Sequence, residues 1–235
     1  MDNWPVRFEN YLQSQISQCD KAHDAGHARR VWHTAQQIMS DMPAHPLVVV
    51  AACFFHDVVN LPKNHPQRHR ASSLAAEKTI TILRDHFPDY PAQHYDAVFH
   101  AIEAHSFSAG IVPRTPEACI VQDADRLESL GAIGLARMLF VAASLGCDIF
   151  EGGDPLALHR ELDDKRYALD HFQTKLFTLP QTMRTAAGKR LAMHNANYMV
   201  HFLAKISAEL QGEPMNPDPR VLERFLFSPG RPEAD

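Results

Sequence analysis

The sequence predicts an all-α fold. Apolar residues recur at steps of three and four along most of the chain, no segment offers a competing strand alternation, and prolines fall between the periodic stretches. With 235 residues, 45% of them hydrophobic and 22% charged, the chain can bury one sizeable core or at most two small ones. We therefore expect a single helical domain over 1–211 and a proline-rich tail over 212–235.

From Asp24 as N-cap, His27, Val31, Thr34, Ile38 and Met42 line one helical face, which turns His27 inward. Pro43 and Pro46 end that helix. Residues 47–59 follow as an apolar run too long for a buried strand, so they read as a buried helix with His56 and Asp57 in its last turn. Ala75, Thr79, Ile82, Leu83 and Phe87 mark a helix over 71–87. After Pro88 and Pro91, Tyr95, Val98, Phe99, Ile102 and His105 mark another, with His105 on its apolar side.

In EACIVQDADRLESL, Asp125 follows Val121 by four and shares its inward face, and 132–145 reads as a further helix. Leu158, Leu162, Leu169, Phe172 and Leu176 predict the next. Met183, Leu191, His194, Tyr198, Phe202 and Ile206 predict a long one starting near Pro180. The tail carries five prolines in 24 residues and reads as an extended or partly disordered end, with VLERFLF docking on the body.

Composition excludes several classes of function. A net charge of −5 leaves no global basic field to hold duplex nucleic acid, so any phosphate ligand must be held locally. The four cysteines form no C-x-x-C pair, against both a zinc knuckle and a thioredoxin-like site, and read as reduced core thiols. The N-terminus lacks a signal-peptide core, and Leu47 to Phe55, nine apolar residues, falls short of the roughly 18 that span a membrane. We expect a cytoplasmic protein, monomer or homodimer, without a membrane partner.

His27, His56, Asp57 and Asp125 share one description: each sits on, or at the end of, an apolar helical face. Singly, each reads as a hydrogen-bonded core imidazole or a carboxylate paired with arginine. Together they pose a problem, because two inward carboxylates are costly to bury unless something positive meets them. One divalent cation accounts for all four, and the mixed N/O donor set suits Mn, Fe, Co, Ni or Zn more than Ca.

The ordered segments HARRV starting at His27, FFHD ending at Asp57 and QDADRLESLGA around Asp125 resemble the H…HD…D pattern of HD-domain metal-dependent phosphohydrolases, especially the small stand-alone bacterial ones. AHDAGH, LPKNHPQRHRASSLAAE and AIEAHSFSAG resemble further blocks of that subgroup, over roughly residues 20–210. The resemblance implies a helical bundle with the metal between helices, and His27, His56, Asp57 and Asp125 as ligands to Mn, Mg, Co, Ni, Fe or Zn. It implies hydrolysis of a phosphate ester or anhydride of a small metabolite, such as a nucleotide, with nucleoside triphosphate pyrophosphohydrolysis as one form.

Lys63, Arg68 and Arg70 follow the HD pair and offer a cationic rim for phosphate, with Lys63 expected to stabilise developing charge. Asp57 and His105 complete the expected catalytic set with Lys63. His105, facing inward, is a general acid, a phosphate donor, a second-metal ligand or a structural core residue. His100, five residues earlier, is offset too far round the helix to grip the same ion. His23 and Asp24 are read as a site neighbour and a helix cap rather than ligands. Lys175, Arg184, Lys189 and Arg190 lie near a helix start, of which Lys175 and Arg190 are taken as substrate-binding. Two alternatives keep the same fold: a di-iron oxygenase, which needs further ligands, and a non-catalytic ligand sensor.

Overall fold

The computed structural model describes residues 3–15, 25–59, 61 and 65–227. The described residues form α-helices at α1 (Trp4–Gln15), α2 (Ala25–Met39), α3 (Pro46–Phe55), α4 (Ala71–His86), α5 (Tyr95–Glu103), α6 (Pro116–Leu127), α7 (Gly131–Ser144), α8 (Asp170–Thr174), α9 (Ala186–Leu210) and α10 (Pro219–Phe225). The fold is all-α, as the periodicity predicts. The only pairing of extended backbone among the described residues is the isolated bridge between Asp148 and Tyr167. No single described helix is long and apolar enough to cross a membrane.

The chain divides into two compact units, Met1–Arg126 with Arg184–Gly188, and Leu127–Met183 with Lys189–Asp235. The first is organised around α3. Pro46 opens this helix at a position where its missing N–H costs nothing, and every residue from Val48 to Phe55 is buried. α3 packs against α1, α2 and α5, while α4 packs on α5. Phe8 of α1 enters this core fully buried, with ring contacts to Trp4, Phe54, Phe55, Phe87 and Tyr90 at centroid separations of 4.8 to 6.2 Å. The Tyr90 hydroxyl donates to the Leu47 carbonyl at 2.9 Å and so finds a partner inside this core.

α3 ends at Phe55, earlier than expected. The His56 N–H still bonds the Ala52 carbonyl, but the Val58 N–H reaches back only to Phe55, so the chain tightens into a turn. His56 therefore caps the helix and Asp57 lies beyond it. α5 likewise stops at Glu103, which places His105 in the following turn rather than on the helical face.

In the second unit the helix expected from Leu158 and Leu162 is not formed. Residues 147–169 run without an α-helix, and those two leucines are 49% and 41% exposed. The reason is local: short carboxylates take the backbone N–H groups a helix would need. Glu151 accepts from Gly153 and Asp154, and Asp154 accepts from Leu158 and His159. Fully buried Asp170 accepts from Asp163 and takes the Arg160 guanidinium on both oxygens at 2.6 and 2.7 Å. Pro180 sits inside a 3₁₀ segment, Leu176–Thr182, so the long helix begins at Ala186 instead. In the tail, Asp218 caps α10 by accepting the Arg220 N–H, Val221 is buried, and Asn197 of α9 bonds both the N–H and the carbonyl of Phe227. The tail thus contains a helix rather than being extended throughout.

Both tryptophans, Trp4 and Trp32, belong to the first unit. Replacing Phe8 by alanine is expected to cost about 3–5 kcal/mol, because a rigid aromatic cage cannot collapse around the void. Tryptophan fluorescence during urea unfolding checks this through the shift in midpoint.

Candidate metal centre

Four helices of the first unit deliver one cluster. α2 carries His27 in its first turn, α3 ends on His56 with Asp57 next, α5 is followed by His105, and α6 carries Asp125 near its end. The Nε2 atoms of His27 and His56 lie 3.1 Å apart. Asp125 Oδ1 is 3.4 Å from His27 Nε2 and 3.5 Å from His56 Nε2. Asp57 Oδ2 is 3.5 Å from His56 Nε2 and 4.0 Å from His27 Nε2. The other oxygen, Oδ1, faces His105 Nε2 at 3.6 Å. Both cluster histidines on α2 and at the end of α3 are buried, and so is His105.

These separations fit a shared cation. Ligand atoms about 2.1 Å from one ion are separated by about 3.0 Å in octahedral and about 3.4 Å in tetrahedral geometry. Five of the six separations among the His27, His56, Asp57 and Asp125 donor atoms span 3.1 to 4.0 Å.

The ring nitrogens provide a second test. His56 Nδ1 lies 2.9 Å from the Cys53 carbonyl oxygen, and His105 Nδ1 lies 2.6 Å from that of Ile102. A carbonyl only accepts, so both Nδ1 atoms carry hydrogen, and in the neutral rings both Nε2 atoms present lone pairs. Those lone pairs face carboxylate oxygens, an arrangement that is repulsive unless a proton or a cation stands between. A metal-binding histidine is commonly oriented in this way, by a carbonyl on its other nitrogen.

The electrostatics agree. Burial lowers the pKa of His56, but the carboxylates of Asp57 and Asp125 outweigh it and raise the net value above that of free imidazole. Burial pushes the Asp125 carboxyl up, and its hydrogen bonds with His27 and His56 outweigh that and hold it well below the ordinary carboxylate range. The centre thus favours positive charge at His56.

The structure brings together His27, His56, Asp57, Asp125 and His105. His100 is engaged elsewhere. Its Nδ1 bonds Glu103 Oε1 and its Nε2 accepts the Arg114 N–H, both at 2.9 Å, so both nitrogens are turned away from the cluster. Arg68 donates to the Leu61 carbonyl. Arg70 is exposed at the start of α4. Lys63, His23 and Asp24 lie outside the described residues. Lys175 and Arg190 belong to the second unit, at the end of α8 and near the start of α9.

Two residues next to Asp125 escaped the sequence reading. Gln122, 1% exposed, donates to the Ala104 carbonyl at 2.6 Å, one peptide before His105. Asp123, fully buried, accepts the N–H groups of Arg184 and Thr185 and the Thr185 hydroxyl. The signal for Gln122 was present, since it precedes Asp125 by three and so shares its face of α6.

Residues 24–130 match the family model described as HD domain. YpgQ of Bacillus subtilis is 27% identical over 210 residues, covering 88% of this chain and 93% of the relative. Among solved structures, a Lactobacillus plantarum protein superposes with a TM-score of 0.66 at 28% identity, over 90% of this chain and 99% of its own. YpgQ in complex with ADP does so with a TM-score of 0.66 at 25% identity, over 88% and 94%. A Bacillus thuringiensis protein described as an HD-superfamily hydrolase shares the fold, with a TM-score of 0.67 at 24% identity over 88% and 96%.

If one cation replaces the His56 proton, metal affinity is expected to fall about tenfold per pH unit once the pH drops below the raised pKa of His56. Titrating Mn2+ calorimetrically in buffers of different ionisation enthalpy checks this, with about one proton released per ion bound below that pKa. Asp125→Asn is expected to weaken Mn2+ binding by at least about 10–100-fold in the same titration.

Proposed function

We propose, from the match of residues 24–130 to the HD-domain family model, that the chain is a metal-dependent phosphohydrolase acting on a small phosphorylated metabolite, most simply a nucleotide. The observation that carries this reading is the convergence of two carbonyl-locked imidazole lone pairs and two carboxylates within one cluster. The complex of the related YpgQ with ADP supports a phosphorylated ligand. His27, His56, Asp57 Oδ2 and Asp125 are the residues that would hold the ion. When bound, such an ion supplies Lewis acidity, lowering the pKa of water from about 15.7 towards 7 and polarising a phosphoryl oxygen.

The chain's own groups do the rest. Asp57 acts through both oxygens, since Oδ2 belongs to the ligand cluster and Oδ1 faces His105. His105 Nε2 is the group in position to accept a proton from an attacking water, since Nδ1 is tied to the Ile102 carbonyl and the ring cannot turn away. Asp57 Oδ1 then stabilises the imidazolium. Arg68 and Arg70, together with Lys63 of the same sequence segment, are assigned to substrate phosphate. Cleavage of a nucleoside triphosphate to monophosphate and pyrophosphate is the specific form of the reaction this reading favours.

A screen of nucleotides and sugar phosphates with Mn2+, Mg2+, Co2+ and Ni2+ tests the proposal. Phosphate or pyrophosphate release is expected for wild type. His105→Gln is expected to keep the metal and lose about 10²–10⁴-fold in kcat. Asp57→Asn turning over the best substrate at the wild-type rate would contradict the mechanism.

A di-iron oxygenase is the second reading, favoured by one observation: His56, Asp57 and His105 form a second group with metal-ligand spacing. Two irons per chain after anaerobic loading, with oxygen consumption on adding substrate, would replace the hydrolytic reading.

A further inference from the structure

Arg184 is exposed, yet its position is fixed at three points. Its backbone N–H donates to both oxygens of Asp123, at 2.9 and 3.1 Å. The next residue, Thr185, gives its N–H and hydroxyl to Asp123 Oδ2 at 2.8 and 2.7 Å. Gly188 lets this clasp close, because a Cβ there would lie 2.4 Å from Asp123 Oδ2. The Arg184 side chain is then held by its Nε, which donates to Gln122 Oε1 at 3.3 Å. The same carboxamide donates through Nε2 to the Ala104 carbonyl, beside His105. Gln122 thus uses both ends of a buried side chain to join the peptide before a site histidine to an arginine.

What remains of the guanidinium is the outer fork. Nη1 and Nη2 donate to no described residue, and no described carboxylate forms an ion pair with it. Gln122 precedes Asp125 by three on α6 and bonds the peptide before His105, so the arginine is linked to the metal cluster through this one side chain. Arg126 adds a second positive charge among Asp123, Asp125 and Arg184. A guanidinium whose stem is immobilised and whose two terminal nitrogens are left open has already lost the side-chain entropy that binding would otherwise cost.

We infer that Arg184 is a phosphate-binding residue of the metal centre, positioned by Gln122 and Asp123 to donate its two terminal nitrogens to the anionic group of the substrate. Gln122 and Asp123 are positioning residues, and neither touches substrate. The inference rests on the phosphohydrolase reading and adds to it a cation outside the loop of Lys63, Arg68 and Arg70.

The test is the dissociation constant of ADP, with inorganic phosphate in parallel, for Mn2+-loaded wild type, Arg184→Gln and Arg184→Lys. Arg184→Gln is expected to weaken ADP about 10- to 100-fold, the range for losing charge-assisted hydrogen bonds. Its Mn2+ affinity should stay at the wild-type value, which also shows that the centre is folded. Arg184→Lys should recover part of the loss, since it restores the charge without the fork. If Arg184→Gln binds ADP within twofold of wild type, the inference is overturned while the phosphohydrolase reading stands. If Mn2+-loaded wild type binds neither ADP nor phosphate, that reading falls and takes the inference with it.

Discussion

The hydrogen bond from His56 Nδ1 to the Cys53 carbonyl is the contact on which the rest of the centre depends. It is made within one turn, at the end of a helix whose preceding eight residues are all buried, so the imidazole has almost no freedom to rotate. Locking Nδ1 as donor leaves Nε2 as a lone pair within 3.5 Å of two carboxylate oxygens. That arrangement is unfavourable in a neutral pocket and favourable around a cation. The apolar helix α3 therefore does more than fill the core: its rigidity keeps the donor atoms at separations an ion can bridge, so little rearrangement is needed on binding.

The same device recurs at His105, whose Nδ1 is tied to the Ile102 carbonyl in the turn after α5. Both histidines are placed just past helix ends, where the chain can bond a carbonyl three residues back while the ring projects beyond the helix. Asp57 joins the two, with one oxygen in the cluster and the other facing His105. In this reading a proton leaving water and a negative charge developing on phosphate are met by groups only a few ångströms apart, all supplied by helix termini of the first unit.

The residues of the cluster were legible in the sequence for a simple reason. A histidine or aspartate on an otherwise apolar helical stripe stands out against the 3.6-residue period, and His27, His56 and Asp125 all do so. The boundaries of α4 and α7 were legible from the same pattern. α1 was legible in the same way, since Trp4, Phe8, Tyr11 and Leu12 recur at helical spacing, but it is absent from the elements expected from the sequence. Two features were not legible. Leu158 and Leu162 mimic helical spacing in a segment where Glu151, Asp154 and Asp170 capture the backbone instead. The roles of Gln122 and Asp123 depend on Ala104, Arg184 and Thr185, contacts across 18 to 62 residues that no local pattern announces.

The central claim is that buried imidazole nitrogens and carboxylate oxygens share one ion. X-ray absorption at the metal edge of the Co2+-loaded protein tests it most directly. The account predicts a first shell at about 2.0–2.2 Å containing about two imidazoles, recognised by their outer-shell scattering, with one of them lost in His56→Ala. An all-oxygen shell without imidazole scattering, or one unchanged by His56→Ala, would contradict it.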